Sequence, residues 1–129
     1  MNLSEECIDM LASVDSVDLN AVATTNLFTV PEGKKFIPDH VKPRNLSADA
    51  GSAKATFGQT GAKTDFLGTQ TLSNLNAAGK SAKLQPVPSA TPAAIVEYTA
   101  GQIFCIDVTQ AAGSACTCTL DVFGKLSNA

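Results

Sequence analysis

Residues 103–109 read Ile-Phe-Cys-Ile-Asp-Val-Thr, and residues 115–126 read Ala-Cys-Thr-Cys-Thr-Leu-Asp-Val-Phe-Gly-Lys-Leu. Side chains alternate faces along a strand, so Phe104, Ile106 and Val108 share one side of the first segment. By the same alternation Cys116, Cys118, Leu120 and Val122 share one side of the second, with threonines and Asp121 between them. The intervening Gln-Ala-Ala-Gly-Ser, with Gly113, predicts a short turn and hence a hairpin with one apolar and one mostly polar face. Such a face needs a second sheet to cover it. The pattern therefore predicts an all-β fold, an antiparallel β-sandwich or jelly roll.

A chain of 129 residues has the size of one ordinary domain and can bury a core without disulfides or metals. Aromatics are only 5% of the residues and tryptophan is absent, so a core of small and β-branched side chains is expected, which favours strands. Two parts are predicted: an N-terminal arm or short helix at residues 1–13 and a β-sandwich domain at residues 14–129. In the first, Ser4 is a candidate helix cap, Glu5 and Glu6 favour a helix N-terminus, and Cys7, Ile8, Leu11 and Ala12 recur at helical spacing over residues 4–12. Such a segment either packs on the body, reaches a neighbouring subunit, or frays.

Beyond it, residues 14–19 predict an edge strand and residues 23–30 a threonine-rich strand. Pro31 to Gly33 should form a turn with proline second and glycine fourth. In the strand expected at residues 35–46, Ile37 and Val41 share a parity opposite to His40, Lys42 and Arg44. Pro38 and Pro43 mark it as an edge, bulged or broken strand. Ala53, Ala55 and Phe57 alternate with Lys54 and Thr56 in a half-buried strand. Residues 59–79 have a weak pattern that fits a contact loop or a meandering pair of strands. Residues 85–92 hold three prolines and predict an extended connection, followed by a strand at residues 94–99 and a turn at Ala100 and Gly101.

The net charge is −3 and the basic residues are scattered, which argues against a nucleic-acid partner. No apolar run approaches the roughly 20 residues of a membrane-spanning helix, so no membrane partner is expected. The acidic N-terminus is unlike a basic secretory signal, which predicts folding in a cytoplasm with reduced thiols. Cys116 and Cys118 read as core residues, and Cys105, of opposite parity, should lie on the other side from them.

Cys-x-Cys lacks zinc-site spacing, and one histidine, His40, is too few for a cupin-like metal site. Gly58 to Gly61 lacks the Lys-Ser/Thr of a phosphate loop. Glu97, Asp107 and Asp121 alternate with core residues as solvent-facing acids would, although paired carboxylates could do acid/base work. His40, Lys42 and Arg44 read as a solvated face, and a functional stripe there would meet carboxylates on a partner. No catalytic, cofactor-binding or metal-binding residue is predicted, and the chain is expected not to be an enzyme.

Residues 23–38, from Ala23-Thr-Thr-Asn-Leu-Phe-Thr-Val to Phe36-Ile-Pro, and residues 100–109 with the closing Asp121-Val-Phe-Gly-Lys-Leu, carry a resemblance. They resemble small jelly-roll structural proteins of tailed bacteriophage virions, the capsid decoration or cement proteins and head-fibre base proteins. The similarity covers roughly residues 20–46 and 95–126. It implies a homo-oligomer, commonly a homotrimer, on the outer capsid surface, assembled in the host cytoplasm, with the major capsid protein and itself as partners. It carries over no catalytic residue. The cysteines, the acidic segment at residues 4–12 and the run from Gln85 depart from the family pattern. A tail, neck or baseplate component with the same fold is the alternative; a carbohydrate-binding jelly roll fits less well, because one Tyr and no Trp leave little to stack on sugars.

Overall fold

A computed structural model describes residues 8–86 and 96–129. The described residues form eight strands and no helix: β1 (Asp9–Asp18), β2 (Thr24–Thr29), β3 (Lys34–Arg44), β4 (Lys54–Gln59), β5 (Ala62–Thr71), β6 (Tyr98–Thr99), β7 (Ile103–Gln110) and β8 (Thr117–Asn128). They make two antiparallel four-stranded sheets, the first in the order β1-β8-β3-β6 and the second in the order β2-β7-β4-β5. The pairing is nested. β4 pairs with β5, β3 with β6, β2 with β7, and β1 with β8. The chain is thus one long hairpin, bent at β4–β5 and rolled up, while β3–β8 and β4–β7 contacts complete the sheets. That is the eight-stranded jelly roll the alternation predicted.

The predicted hairpin at residues 103–126 is overturned. β7 and β8 lie in different sheets and face each other across the core, so their apolar sides meet instead of lying side by side. The connection between them docks elsewhere: Ala112 N–H donates to Leu19 O, and Leu19 N–H donates to Cys116 O. Gly113 N–H donates to the Asn20 side chain at 2.9 Å. These bonds carry the six residues from one sheet to the other, which a tight turn could not do.

Phe36, Phe57, Phe104 and Tyr98 fill one part of the core, with Phe36 and Phe104 packed edge to face at 5.7 Å and Phe66 against Phe104 at 5.5 Å. Elsewhere the core is made of Val17, Leu19, Leu46, Ala50, Ala53, Cys116 and Cys118, the small side chains that the composition predicts. Phenylalanine carries more of the packing than its low abundance suggests.

β1 is an edge strand that begins at Asp9, five residues before the edge strand predicted from sequence. The helix predicted over residues 4–12 lies partly outside the described residues; residues 9–12 are strand, so no helix spans them. Two register shifts and Ser16 at φ 57° interrupt the exposed edge, as bulges do where a sheet must not recruit another strand. The turn after β2 runs from Pro31 to Lys34, whose N–H donates to Pro31 O, so Gly33 sits third with φ 76°, one place earlier than predicted.

β3 lies inside the first sheet and is bulged between Pro38 and His40. The bulge shifts the parity, so Phe36, Pro38, Val41 and Pro43 face the core while Ile37 joins the outer side, correcting the expected pairing of Ile37 with Val41. Of the weakly patterned residues 59–79, ten form β5, and Leu72 and Leu75 plug the core after it.

Candidate functional site

The outer face of the first sheet gathers most of the charged side chains that are held in place. β8 runs down its centre and presents Thr117, Thr119, Asp121, Phe123 and Lys125 outward, because Cys118, Leu120 and Val122 take the inward positions. Three rows cross it. In one, Ser13, Asp121 and Lys42 are register neighbours; in the next, Met10, Phe123 and His40 are. Arg44 pairs with Thr119 in the third.

Asp121 organises this face. Its side chain is only 4% exposed for the residue as a whole, and a carboxylate so enclosed needs partners. Arg44 Nε donates to Oδ2 at 2.6 Å, and Ser13 Oγ donates to Oδ1 at 2.6 Å. Burial acts to raise the Asp121 pKa, but the hydrogen bonds from Arg44 and Ser13, with the charges of Arg44 and Lys42, outweigh it and hold the carboxyl below its ordinary 3.8. Beside it Thr119 Oγ1 donates to Asp15 Oδ1 at 3.0 Å. The next row is apolar: His40 stacks on Phe123 at 4.5 Å and 10° while its Nδ1 contacts Asp39 Oδ2 at 2.6 Å. Met10, in the same row, is about half exposed at 53%.

The basic stripe of the sequence is therefore present on one face, as His40, Lys42 and Arg44. Its carboxylate partner, expected on another molecule, is supplied to Arg44 from within the chain by Asp121. The acids predicted on adjacent strands are not brought together. Asp107 and Asp121 occupy the outer faces of opposite sheets, and Glu97 is exposed. Ser13 and Asp15 escaped the sequence reading because β1 meets β8 across more than 100 residues. A lone aspartate between Leu120 and Val122 in β8 was the available signal.

The outer face of the second sheet is built differently. Cys105 pairs with Asn26 and Gly58, and Asp107 with Thr24 and Thr56. Cys105 lies on the side away from Cys116 and Cys118, as parity predicts, yet it is fully buried. Its register neighbour Gly58 is closely approached by the start of β5. A Cβ on Gly58 would fall against the Ala62 carbonyl and the Asp65 carboxylate, closer than van der Waals contact allows. Asp65 also accepts a hydrogen bond from the Tyr98 hydroxyl, tying the second sheet to the first. Thr56 is 2% exposed and its hydroxyl has no hydrogen-bond partner. Burial, more than any charge, raises the Cys105 pKa, and it pushes Cys118 up to about 12. Such thiols are protonated and poor nucleophiles.

A cleft of about 210 Å³ lies between residues 71–75 and 81–84, lined by Thr71, Leu72, Asn74 and Leu75 on one side and Ser81 to Leu84 on the other. It falls below the roughly 300–1,000 Å³ of most small-molecule sites. Among the described residues no three His, Cys, Asp or Glu side chains are grouped to hold a metal, and no helix is long and apolar enough to cross a membrane. The chain matches no protein-family model, no curated protein and no solved structure. The outer face of the first sheet is thus the best-developed surface on a jelly roll whose function must be argued from its own residues.

Proposed function

We propose that this chain is a non-enzymatic structural protein of a tailed-phage virion, decorating and stabilising the outside of the capsid as a homo-oligomer. One observation carries the reading: the first sheet presents a face whose central acid is locked by Arg44 and Ser13 and whose next row sets the exposed Met10 beside the half-buried, stacked rings of Phe123 and His40. Side chains fixed before contact lose little freedom on binding, and an apolar centre beside polar groups is the usual make-up of a protein interface. The jelly-roll fold and the resemblance at residues 20–46 and 95–126 support the same assignment.

The test is copurification with assembled particles and the copy number per particle. Hundreds of copies match decoration of the shell; a handful would move the protein to the tail, neck or baseplate. Absence from particles sinks the proposal. Deleting residues 1–13 would remove the start of β1, which pairs with Phe123 and Gly124. Deleting residues 1–7 instead leaves β1 whole and asks directly whether the N-terminal segment contacts the shell.

A further inference from the structure

β1 joins the rest of the fold through a connection unlike the others. Residues 19–23 read Leu-Asn-Ala-Val-Ala and hold neither glycine nor proline. Every other connection between strands carries a glycine: Gly33, Gly51, Gly61, Gly79, Gly101 and Gly113. No residue of 19–23 has a positive φ, so neither composition nor conformation commits the chain to turn there. The strand itself is lightly held. Among the described residues β1 pairs with β8 alone, its ladder is interrupted at two places, and of its ten residues only Val17 is buried.

The connection is anchored at both ends. Leu19 N–H donates to Cys116 O, and Val108 N–H donates to Ala23 O, so these residues carry the chain from one sheet to the other. Between the anchors Asn20 donates its N–H to Asp18 and accepts from Gly113 N–H, and both bonds lie at the surface, where water replaces them at little cost. Val22 is 67% exposed beside them.

We infer that β1 is exchanged between copies of this chain: residues 20–22 straighten, and β1 pairs with β8 of a neighbour in the register it has with its own. The vacated edge selects a second β1. Asp121 accepts a hydrogen bond from Ser13, Thr119 donates one to Asp15, and Val17 is buried, so an identical strand restores every contact. The face centred on Asp121 is then composite, with Met10, Ser13 and Asp15 supplied by the other copy. Extended, the path from Leu19 to Ala23 spans only about 13 Å. The two bodies therefore meet at the end where β1 leaves, and Val22 of each copy is covered there.

Because the contacts of the strand are conserved, exchange competes directly with closure inside one chain. A short connection gives closure an effective concentration on the order of millimolar. Exchanged pairs are therefore minor at micromolar concentration and prominent above it. The inference rests on the strand pairing alone and holds whether or not the protein decorates a shell, so its failure leaves particle copurification untouched.

The test is to unfold the full chain, half of it isotope-labelled, refold it at millimolar concentration, and follow it by sedimentation velocity and NMR. A dimer is expected, with a methyl cross peak between Val14 of one copy and Leu120 of the other, which are register partners. Deleting Ala21 and Val22 leaves a reach of about 7 Å from Leu19 to Ala23, short of the roughly 10 Å between packed sheets. That blocks closure but not exchange, so the variant should associate at least a hundredfold more tightly than wild type. A trimer bearing the same cross peak is the same exchange closed on three copies. A wild type that refolds only as monomer, an oligomer whose Val14–Leu120 contact stays within each copy, or a deletion variant that folds as a monomer or fails to fold overturns the inference.

Discussion

The two outer faces of the sandwich meet the same difficulty in opposite ways. Each has polar side chains in the middle of a sheet, where water is scarce. On the first sheet the polar groups are charged and satisfied by partners far apart in the chain: Arg44 and Ser13 converge on Asp121, and Thr119 on Asp15. On the second the central ones, Thr56 and Cys105, are neutral and buried, and the missing side chain of Gly58 lets the start of β5 lie close against β4. One face is organised by side-chain chemistry and remains available for contact. The other is closed at its centre, around Gly58, Cys105 and Thr56, while Thr24, Asn26 and Thr109 at its margins stay exposed.

The contrast breaks most readily at the sealed face. Gly58→Ala forces a methyl group into the Ala62 carbonyl and Asp65, and about 3 kcal/mol of destabilisation is expected, measured by chemical denaturation. A loss under about 1 kcal/mol would mean that β5 can lift, and that the second face is not closed by backbone after all.

At the open face, Asp121→Ala removes the acceptor for both Arg44 and Ser13, and about 2 kcal/mol should be lost. The same substitution should free the Arg44 side chain, visible as lost protection of its Nε–H in NMR spectra.

A pH series isolates the charge. Asp121 has a folded pKa below its ordinary 3.8, so its contribution is complete above that value and fades as pH falls through the folded pKa. Wild type should therefore lose more stability than Asp121→Asn between about pH 5 and pH 2. Parallel acid limbs in the two proteins would show that the carboxylate is not preferentially stabilised.

The smallest effect belongs to Thr56→Val. It removes a buried hydroxyl that bonds nothing at nearly constant volume, so stability should stay the same or rise by up to about 1 kcal/mol. A marked loss would show that Thr56 has a partner after all, and that the second face relies on polar chemistry as the first does.

Much of the fold was legible because alternation is a local property. The inward sets Phe104, Ile106, Val108 and Cys118, Leu120, Val122 are as the pattern predicts, as are Ala53, Ala55 and Phe57. What alternation cannot report is which strand lies beside which. β7 and β8 adjoin in sequence and have matching patterns, but their connection is anchored on Leu19 and Asn20, more than 90 residues away. The parity of Ile37 was lost for a related reason: a single bulge, between Pro38 and His40, reverses every assignment behind it. The candidate face was half visible. His40, Lys42 and Arg44 stood out as a stripe, whereas Ser13, Asp15 and Met10 join it through the longest-range pairing in the molecule.

That nesting of strand pairs also dictates an order of assembly. Only β4 and β5 are close enough in sequence to find each other as a simple hairpin, closed by the short turn between Gln59 and Ala62. Every pair outside it encloses all the pairs within, up to β1 and β8, which bring Asp9 to Gly124. Each closure shortens the search left to the next, because the enclosed chain is already compact. The terminal strands that build the charged face should therefore be the last to dock on folding and the first to leave. The surface best suited to meeting another molecule is the one the chain completes at the end.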